Sequence, residues 1–322
     1  MRFSKSSKSS HANTHSAANG RLRLAKKTVS SQVFDVVNVI IMILLIFVMI
    51  YPFWNQLIVS LNDGIDTQRG GLYFFPRMFT LNNYDYILKS EGLGSAVMWS
   101  LLRVFVGTIT HLICSGFLAY ITTVKFFSFH RPLRTMFLIT MYISGGMIPI
   151  YLWYTKIGLL ETFTVYWLPG LIGAYDMMLI ASYIEGLPDA VTESARIDGA
   201  REVTIFFRVV APLCVPVFAA LAVMTAVGHW NSWFDTMLYN SSGKYDTLQM
   251  LLRDILIESD KIKKLMQDAT VGADAVKSQV SRISTQSMRA ATTMIVTIPI
   301  VCVYPFFQRY FVKGISIGAV KG

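Results

Sequence analysis

The run Val36 to Trp54, VVNVIIMILLIFVMIYPFW, contains no charged residue and restricts the chain more than any other feature. A helix that crosses ~30 Å of hydrocarbon needs roughly 20 mainly apolar residues, because its backbone must satisfy its own hydrogen bonds where no water is available. A secretory signal would be shorter and would be followed by a small-residue cleavage site. Here more than thirty residues precede the apolar run and no such site follows, so the segment reads as an uncleaved anchor.

The rest of the chain repeats the pattern. Of 322 residues 53% are apolar and 15% charged, with a mean hydropathy of +0.49, a balance foreign to soluble domains of this size. Six stretches meet the spanning test: Phe34 to Leu61, Ala96 to Val124, Met136 to Tyr154, Phe163 to Ile184, Leu213 to Phe234 and Ala290 to Phe307. The fold class expected is all-α, a polytopic membrane protein whose six-helix domain occupies residues 31–309.

The formal net charge of +10 would suit a nucleic-acid binder, but its distribution follows membrane topology. Placing the N-terminus in the cytoplasm puts Arg2, Lys5, Lys8, Arg21, Arg23, Lys26 and Lys27 inside. It does the same for Lys125, Arg131 and Arg134, for Arg196, Arg201 and Arg208, and for Arg309, Lys313 and Lys321. In the outer loops Asp and Glu roughly balance the basic residues. This asymmetry predicts a multi-pass protein of a cell membrane with both termini cytoplasmic and no nucleic-acid partner.

Catalytic signatures are missing from the sequence: it has no P-loop, nucleophile elbow or HExxH. Cys114, Cys214 and Cys302 lie in or at the edges of spans and suggest neither a disulfide framework nor a thiol metal site. His11 and His15 sit among Ser, Asn and Ala in a basic leader, residues 1–30, expected to be disordered and drawn to anionic headgroups. The expectation is a non-enzyme with no metal site.

Between spans, the aromatics of GGLYFFPRMFTLNNYDYIL suit a segment at the membrane interface, and a long extracytoplasmic loop is expected over 236–288. Gly145, Gly146 and Pro149 interrupt the third span, and Pro169, Gly170 and Gly173 the fourth. Such breakers are tolerated where protein or water satisfies the freed backbone, and close packing of small residues explains them equally well.

The stretch 185–212, EGLPDAVTESARIDGAREVTIFFRVVAP, is too polar to span and too patterned to be a plain connector. Pro188 suits a first helical turn, and Asp189 and Glu193 complement the helix dipole. Val191, Ala195 and Ile197 make a weak apolar face. Asp198-Gly199 supplies a stop, and Ala200 to Val210 can begin a second helix. The prediction is a short cytoplasmic helix-turn-helix.

This stretch resembles the EAA loop of bacterial ABC importer permeases, a pattern of Glu-Ala-Ala, Gly four residues on, then an aliphatic residue and Pro. The matching residues are Glu193, Ser194, Ala195, Gly199, Val209 and Pro212, with Asp198-Gly199-Ala200 in the form common in the sugar-importing branch. Ser194 in place of the first Ala, and Ala211 before the Pro, depart mildly. The C-terminal YFVKGISIGAVKG is similar to the glycine-rich tail of the maltose-type smaller permease. YPFWNQLIVSLND, FPRMFTLNNYDYIL and WNSWFDTMLYN look like the subgroup that handles complex oligosaccharides.

The resemblance implies a subunit that pairs with a second permease, two ATPases and an extracytoplasmic solute-binding protein to import carbohydrate. ATP and magnesium would sit on the ATPases and no cofactor on this chain. It assigns ATPase coupling to Glu193, Ser194, Ala195, Asp198, Gly199, Ala200 and Pro212. It assigns an ATPase-interface role to the cytoplasmic tail 310–322, through Gly314, Gly318, Lys321 and Gly322.

Inside the spans Asp176 marks a cavity or a paired site, and Tyr166, Trp167 and Tyr175 are candidates for stacking on sugar rings, although packing is the commoner use of such aromatics. His229, Trp230, Asn231, Trp233 and Asp235 form a polar aromatic cluster at the outer end of the fifth span, where sugar or a docked binding protein could meet it. Arg103 and His111 are expected to snorkel or pair internally, without a further role. Two rival readings are a secondary sugar transporter with Asp176 as ion or proton site, which would need internal repeats that are not evident, and a membrane sensor or scaffold.

Overall fold

A computed structural model describes residues 29–268 and 284–319. The chain divides into two units at Pro52. The described part of the first is the opening of helix α1, Val29–Ser60. Every side chain from Val36 to Ile50 is exposed, with Leu44 and Met49 above 60%.

In the second unit α2 (Gly64–Gln68) and α3 (Asn82–Leu88) lead to α4 (Leu93–Thr123), the helix around which the others pack. Next come α5 (His130–Tyr142), α6 (Met147–Lys156), α7 (Ala174–Glu185), α8 (Asp189–Ile197) and α9 (Glu202–Ile205). A π-turn over Phe206–Val210 joins α9 to α10 (Ala211–Leu213) and α11 (Val215–Asn231). The remainder is α12 (Phe234–Tyr239), α13 (Leu248–Asp268) and α14 (Thr285–Ala319). No strand forms among the described residues; Asn62 and Phe79 make one isolated bridge.

The buried face of α4 follows helical spacing: Ser100, Arg103, Gly107, His111, Ser115 and Ala119. Its small members let α11 come close. A Cβ on Gly107 would lie 2.4 Å from His229 Nε2, and one on Gly116 would lie 2.7 Å from the Phe218 ring. At one end of α4, Ile87, Leu248, Leu252, Ile255, Met288 and Ala291 form a core. At the other, Ala119, Tyr120, Met177, Ile180, Ile205, Phe206, Val210 and Cys214 form a second.

Among the described residues three helices are long and apolar enough to cross a membrane, or five if each bent pair counts as one span, where the sequence predicts six spans with breakers in the third and fourth. The first, second and sixth expected spans are α1, α4 and the opening of α14. The third is corrected: α5 and α6 meet at 118°, because the chain leaves the helix at Ile143 and Gly146 takes φ +81°, a conformation glycine enters without penalty. The fourth is also corrected. A 3₁₀ turn at Phe163–Tyr166 is followed by irregular chain through Pro169, Gly170 and Gly173, leaving α7 with 12 residues, ~18 Å of helix. The fifth is shortened to α11, bent by 83° from the preceding 202–213. Of the long loop 236–288, residues 269–283 lie outside the described residues, as does the leader 1–28.

Candidate coupling site

At the end of α7, Leu187 packs against the second core and Pro188, in extended conformation, starts α8. Asp189 occupies the first turn of α8 and Arg196 the last, complementing the dipole at both ends. The helix closes on a Schellman motif, in which the Gly199 amide donates to the Arg196 carbonyl (3.0 Å) and the Ala200 amide to the Ala195 carbonyl (3.0 Å). Gly199 has φ +79° with open space where a Cβ would be, so backbone conformation and not crowding requires glycine.

The predicted second helix begins at Glu202, later than Ala200, and at Phe206 it gives way to the π-turn. The expected apolar face is corrected in one member. Val191 and Ala195 are half-buried, whereas Ile197 is 86% exposed at the tip of the loop. Glu193, Ser194, Asp198 and Pro212 are exposed and Ala200 is half-buried against the core.

Beside α8 lies a cleft of about 760 Å³ whose lining includes Tyr120, His130, Arg131, Asp189, Glu193 and Arg196. Lys125 donates to Asp189 Oδ2 (3.1 Å) and Arg134 pairs with Glu185. Glu193 forms no ion pair among the described residues. Arg196 turns inward to Glu202 (Nε to Oε1, 2.9 Å), and the buried Tyr120 hydroxyl donates to Glu202 Oε2. Sequence reasoning missed Tyr120 and Glu202 altogether. The sole signal for Glu202 is a second acidic residue shortly after Gly199, which the helix-dipole argument alone absorbs.

Arg103 and His111 are paired internally. Arg103 is 3% exposed, bridges both oxygens of Asp235 and lies 4.8 Å from the Tyr166 ring centroid. The Asp235 carboxylate also accepts from Ser232 Oγ (2.7 Å). His111 Nδ1 donates to the Gly170 carbonyl (2.7 Å), and its Nε2 stands 2.8 Å from Asp176 Oδ2. Because a carbonyl only accepts, Nδ1 is the donor to Gly170, which leaves Nε2 facing the carboxylate. Gly173 adjoins this pair: a Cβ there would meet Asp176 Oδ2 and His111 Cε1, both at 2.9 Å.

The other interior candidates do not converge. Tyr166 is buried and donates to the Tyr245 carbonyl (3.0 Å), and Trp230 Nε1 donates to the Val296 carbonyl (3.2 Å). Gln249 donates to Asn231, and the Trp233 ring lies under Arg253 at 4.6 Å. Trp167 is half-buried and Tyr175 is 60% exposed. Gly314 and Gly318 continue the backbone of α14; Lys321 and Gly322 lie outside the described residues.

No protein-family model matches the chain. Individual relatives do. Protein LplC of Bacillus subtilis (strain 168) is 34% identical over 296 residues, 92% of this chain and 97% of that protein. The polygalacturonan/rhamnogalacturonan transport system permease protein YtcP of the same organism is 29% identical, covering 91% and 99%. The arabinooligosaccharides transport system permease protein AraQ of Halalkalibacterium halodurans is 27% identical, covering 86% and 92%. The crystal structure of a bacterial ABC transporter involved in the import of the acidic polysaccharide alginate contains a chain of the same fold, with TM-score 0.76 at 23% identity, matching 88% of this chain and 99% of that one. Identity, coverage and fold agree, and they set aside a secondary transporter or a sensor: the chain belongs to the carbohydrate-uptake family of ABC importer permeases, as a non-catalytic transport subunit.

Proposed function

We propose that this chain, with a second permease, forms the translocation pathway of an ATP-driven oligosaccharide importer, and that its 185–212 loop docks on one of two cytoplasmic ATPases, which bind ATP and magnesium. The observation that carries the reading is the α8–Gly199–α9 unit. A short amphipathic helix ends on a left-handed glycine, presents Glu193 and Ile197 outward, and is fastened behind to the core that joins α4, α7 and α11. The printed names of the relatives YtcP and AraQ, polygalacturonan/rhamnogalacturonan and arabinooligosaccharides, favour complex oligosaccharides as cargo. An extracytoplasmic binding protein would deliver the sugar and ATP would bias the two conformations of the pathway.

In this reading the chain crosses a bacterial cell membrane six times with both termini inside. The α5–α6 pair and the segment 163–185 serve as broken spans, a form tolerated where irregular backbone is covered by protein. Asp176, held by His111, keeps the second broken segment against α4. Trp167, Tyr175, Asn231 and Trp233 are the pathway candidates, since Tyr166 and Trp230 already spend their polar atoms on backbone carbonyls. The tail carrying Gly314 and Gly318 would reach the ATPase interface.

Glu193→Lys and Gly199→Val test the docking loop. The first replaces attraction to a basic groove by repulsion, and losing one partner of a partly desolvated interfacial pair costs about 2–5 kcal/mol. The second forces a β-branched residue into φ +79°. Both variants should insert normally yet lose co-purifying ATPase and sugar uptake. Full retention of both by both variants would remove this loop as the coupling element.

A further inference from the structure

Three polar side chains meet where the 185–212 loop joins the core. Tyr120, near the inner end of α4, is 2% exposed and its hydroxyl donates to Glu202 Oε2. Arg196, in the last turn of α8, reaches the same carboxylate with Nε (2.9 Å to Oε1) and Nη2 (3.3 Å to Oε2), and Nη2 also lies 3.4 Å from the Tyr120 hydroxyl. The guanidinium stands 5.1 Å from the Phe126 ring centroid. Glu202 opens α9, and the Phe206 ring that follows packs on Tyr120 and Phe117 at 5.8 and 5.3 Å. The cluster therefore spans the Gly199 turn and ends on α4, at the margin of an otherwise apolar core.

We infer that Arg196, Glu202 and Tyr120 are the anchor through which displacement of α8 is passed to α4, so that the two helices move as one body. The inference rests on α8 being the element the ATPases displace. Apolar packing alone leaves room for slip, because side chains of similar volume can repack against one another. A carboxylate held by a two-pronged guanidinium and a phenol has one geometry, and leaving it takes a charge-assisted bond apart in a weakly polar setting. Motion delivered at Tyr120 has a path onward. His111 and Arg103 lie ~14 and ~26 Å further along α4, and their pairs with Asp176 and Asp235 carry α4 against α7 and α12. All three anchor residues are positioning residues; none is placed to touch sugar.

The test uses the assembled importer, with Cys114, Cys214 and Cys302 replaced by Ala and nitroxide labels at the exposed positions Ala190 on α8 and Leu101 on α4. Pulsed electron resonance then reads the label distance with and without ATP and magnesium. The parent should keep one distance in both states. Tyr120→Phe and Glu202→Gln should retain the ATPase but acquire a second, ATP-dependent distance, its population raised roughly tenfold, as loss of one hydrogen bond to a charged group shifts a two-state equilibrium. Arg196→Glu combined with Glu202→Arg should behave more like the parent than either single change. An ATP-dependent distance in the parent, or no change in the variants, overturns the anchor. Loss of ATPase from Tyr120→Phe also overturns it, since the cluster would then shape the docking surface. A failed anchor beside ATPase loss in Glu193→Lys leaves the docking reading standing, whereas ATPase retained by Glu193→Lys and Gly199→Val removes that reading itself.

Discussion

Helices α1 and α4 have almost the same length, 32 and 31 residues, and opposite surfaces. The apolar stretch of α1 has a mean hydropathy of 3.0 and none of it is buried, while that of α4 falls to 1.8 with 39% buried. The apolar stretch of one helix is exposed on every side; the other carries Arg103 and His111 on its buried face, Tyr120 buried on the side turned to Phe206, and glycine where α11 approaches. A uniform apolar surface is satisfied by any apolar surroundings, so it fixes that the helix spans but not where it sits. A mixed surface has only one low-energy partner, because each polar group at that depth costs several kcal/mol unless a particular residue meets it. Placement resides in α4, whose polar residues Arg103, His111 and Tyr120 each meet a particular partner.

Three substitutions would break or sharpen that contrast. Arg103→Leu should have the largest effect, because it strands Asp235. Breaking a wholly buried pair costs about 3–5 kcal/mol, and with Asp235 25% exposed a loss of about 2–3 kcal/mol is expected on the same basis, read as thermal unfolding of the purified complex. Adding Asp235→Asn should recover most of it; a double variant no better than the single would mean that the ion pair is not the reason. Gly116→Val comes next. Its Cβ would press on Phe218 at 2.7 Å and Phe206 at 3.4 Å, overpacking worth about 1–3 kcal/mol, with Gly116→Ala milder. Stability unchanged from the parent in both variants would show that α4 and α11 are not held at glycine distance. Ile43→Ala in α1, at a side chain 61% exposed, should change stability by less than ~0.5 kcal/mol and leave partner co-purification unaltered. Loss of the second permease from that variant would make α1 a protein interface and end the contrast.

The sequence made α1, α4 and the start of α14 legible because each is one long apolar run. Gly199 was legible too, as the only residue type at ease in the conformation that closes α8 there. Breakers at 145–149 and 169–173 were visible as residues, but their outcome was not. A glycine or proline permits a bend, and only the neighbours that take up the freed backbone groups decide whether the helix resumes in line or turns by 118°. Asp176 was legible as a cavity or a paired site, and His111 and Arg103 as snorkelling or internally paired; the partners themselves were not legible. The link from Tyr120 to Glu202 joins residues 82 apart and left no periodicity to read.

By itself, then, the sequence determined class, the approximate apolar spans and the helix-turn-helix of 185–212, since hydropathy and backbone preference are local properties summed along the chain. Only the tertiary structure decided which spans are broken and which polar side chains pair with one another. Those outcomes depend on what stands opposite each group across the helix packing, and distance along the chain carries no record of that.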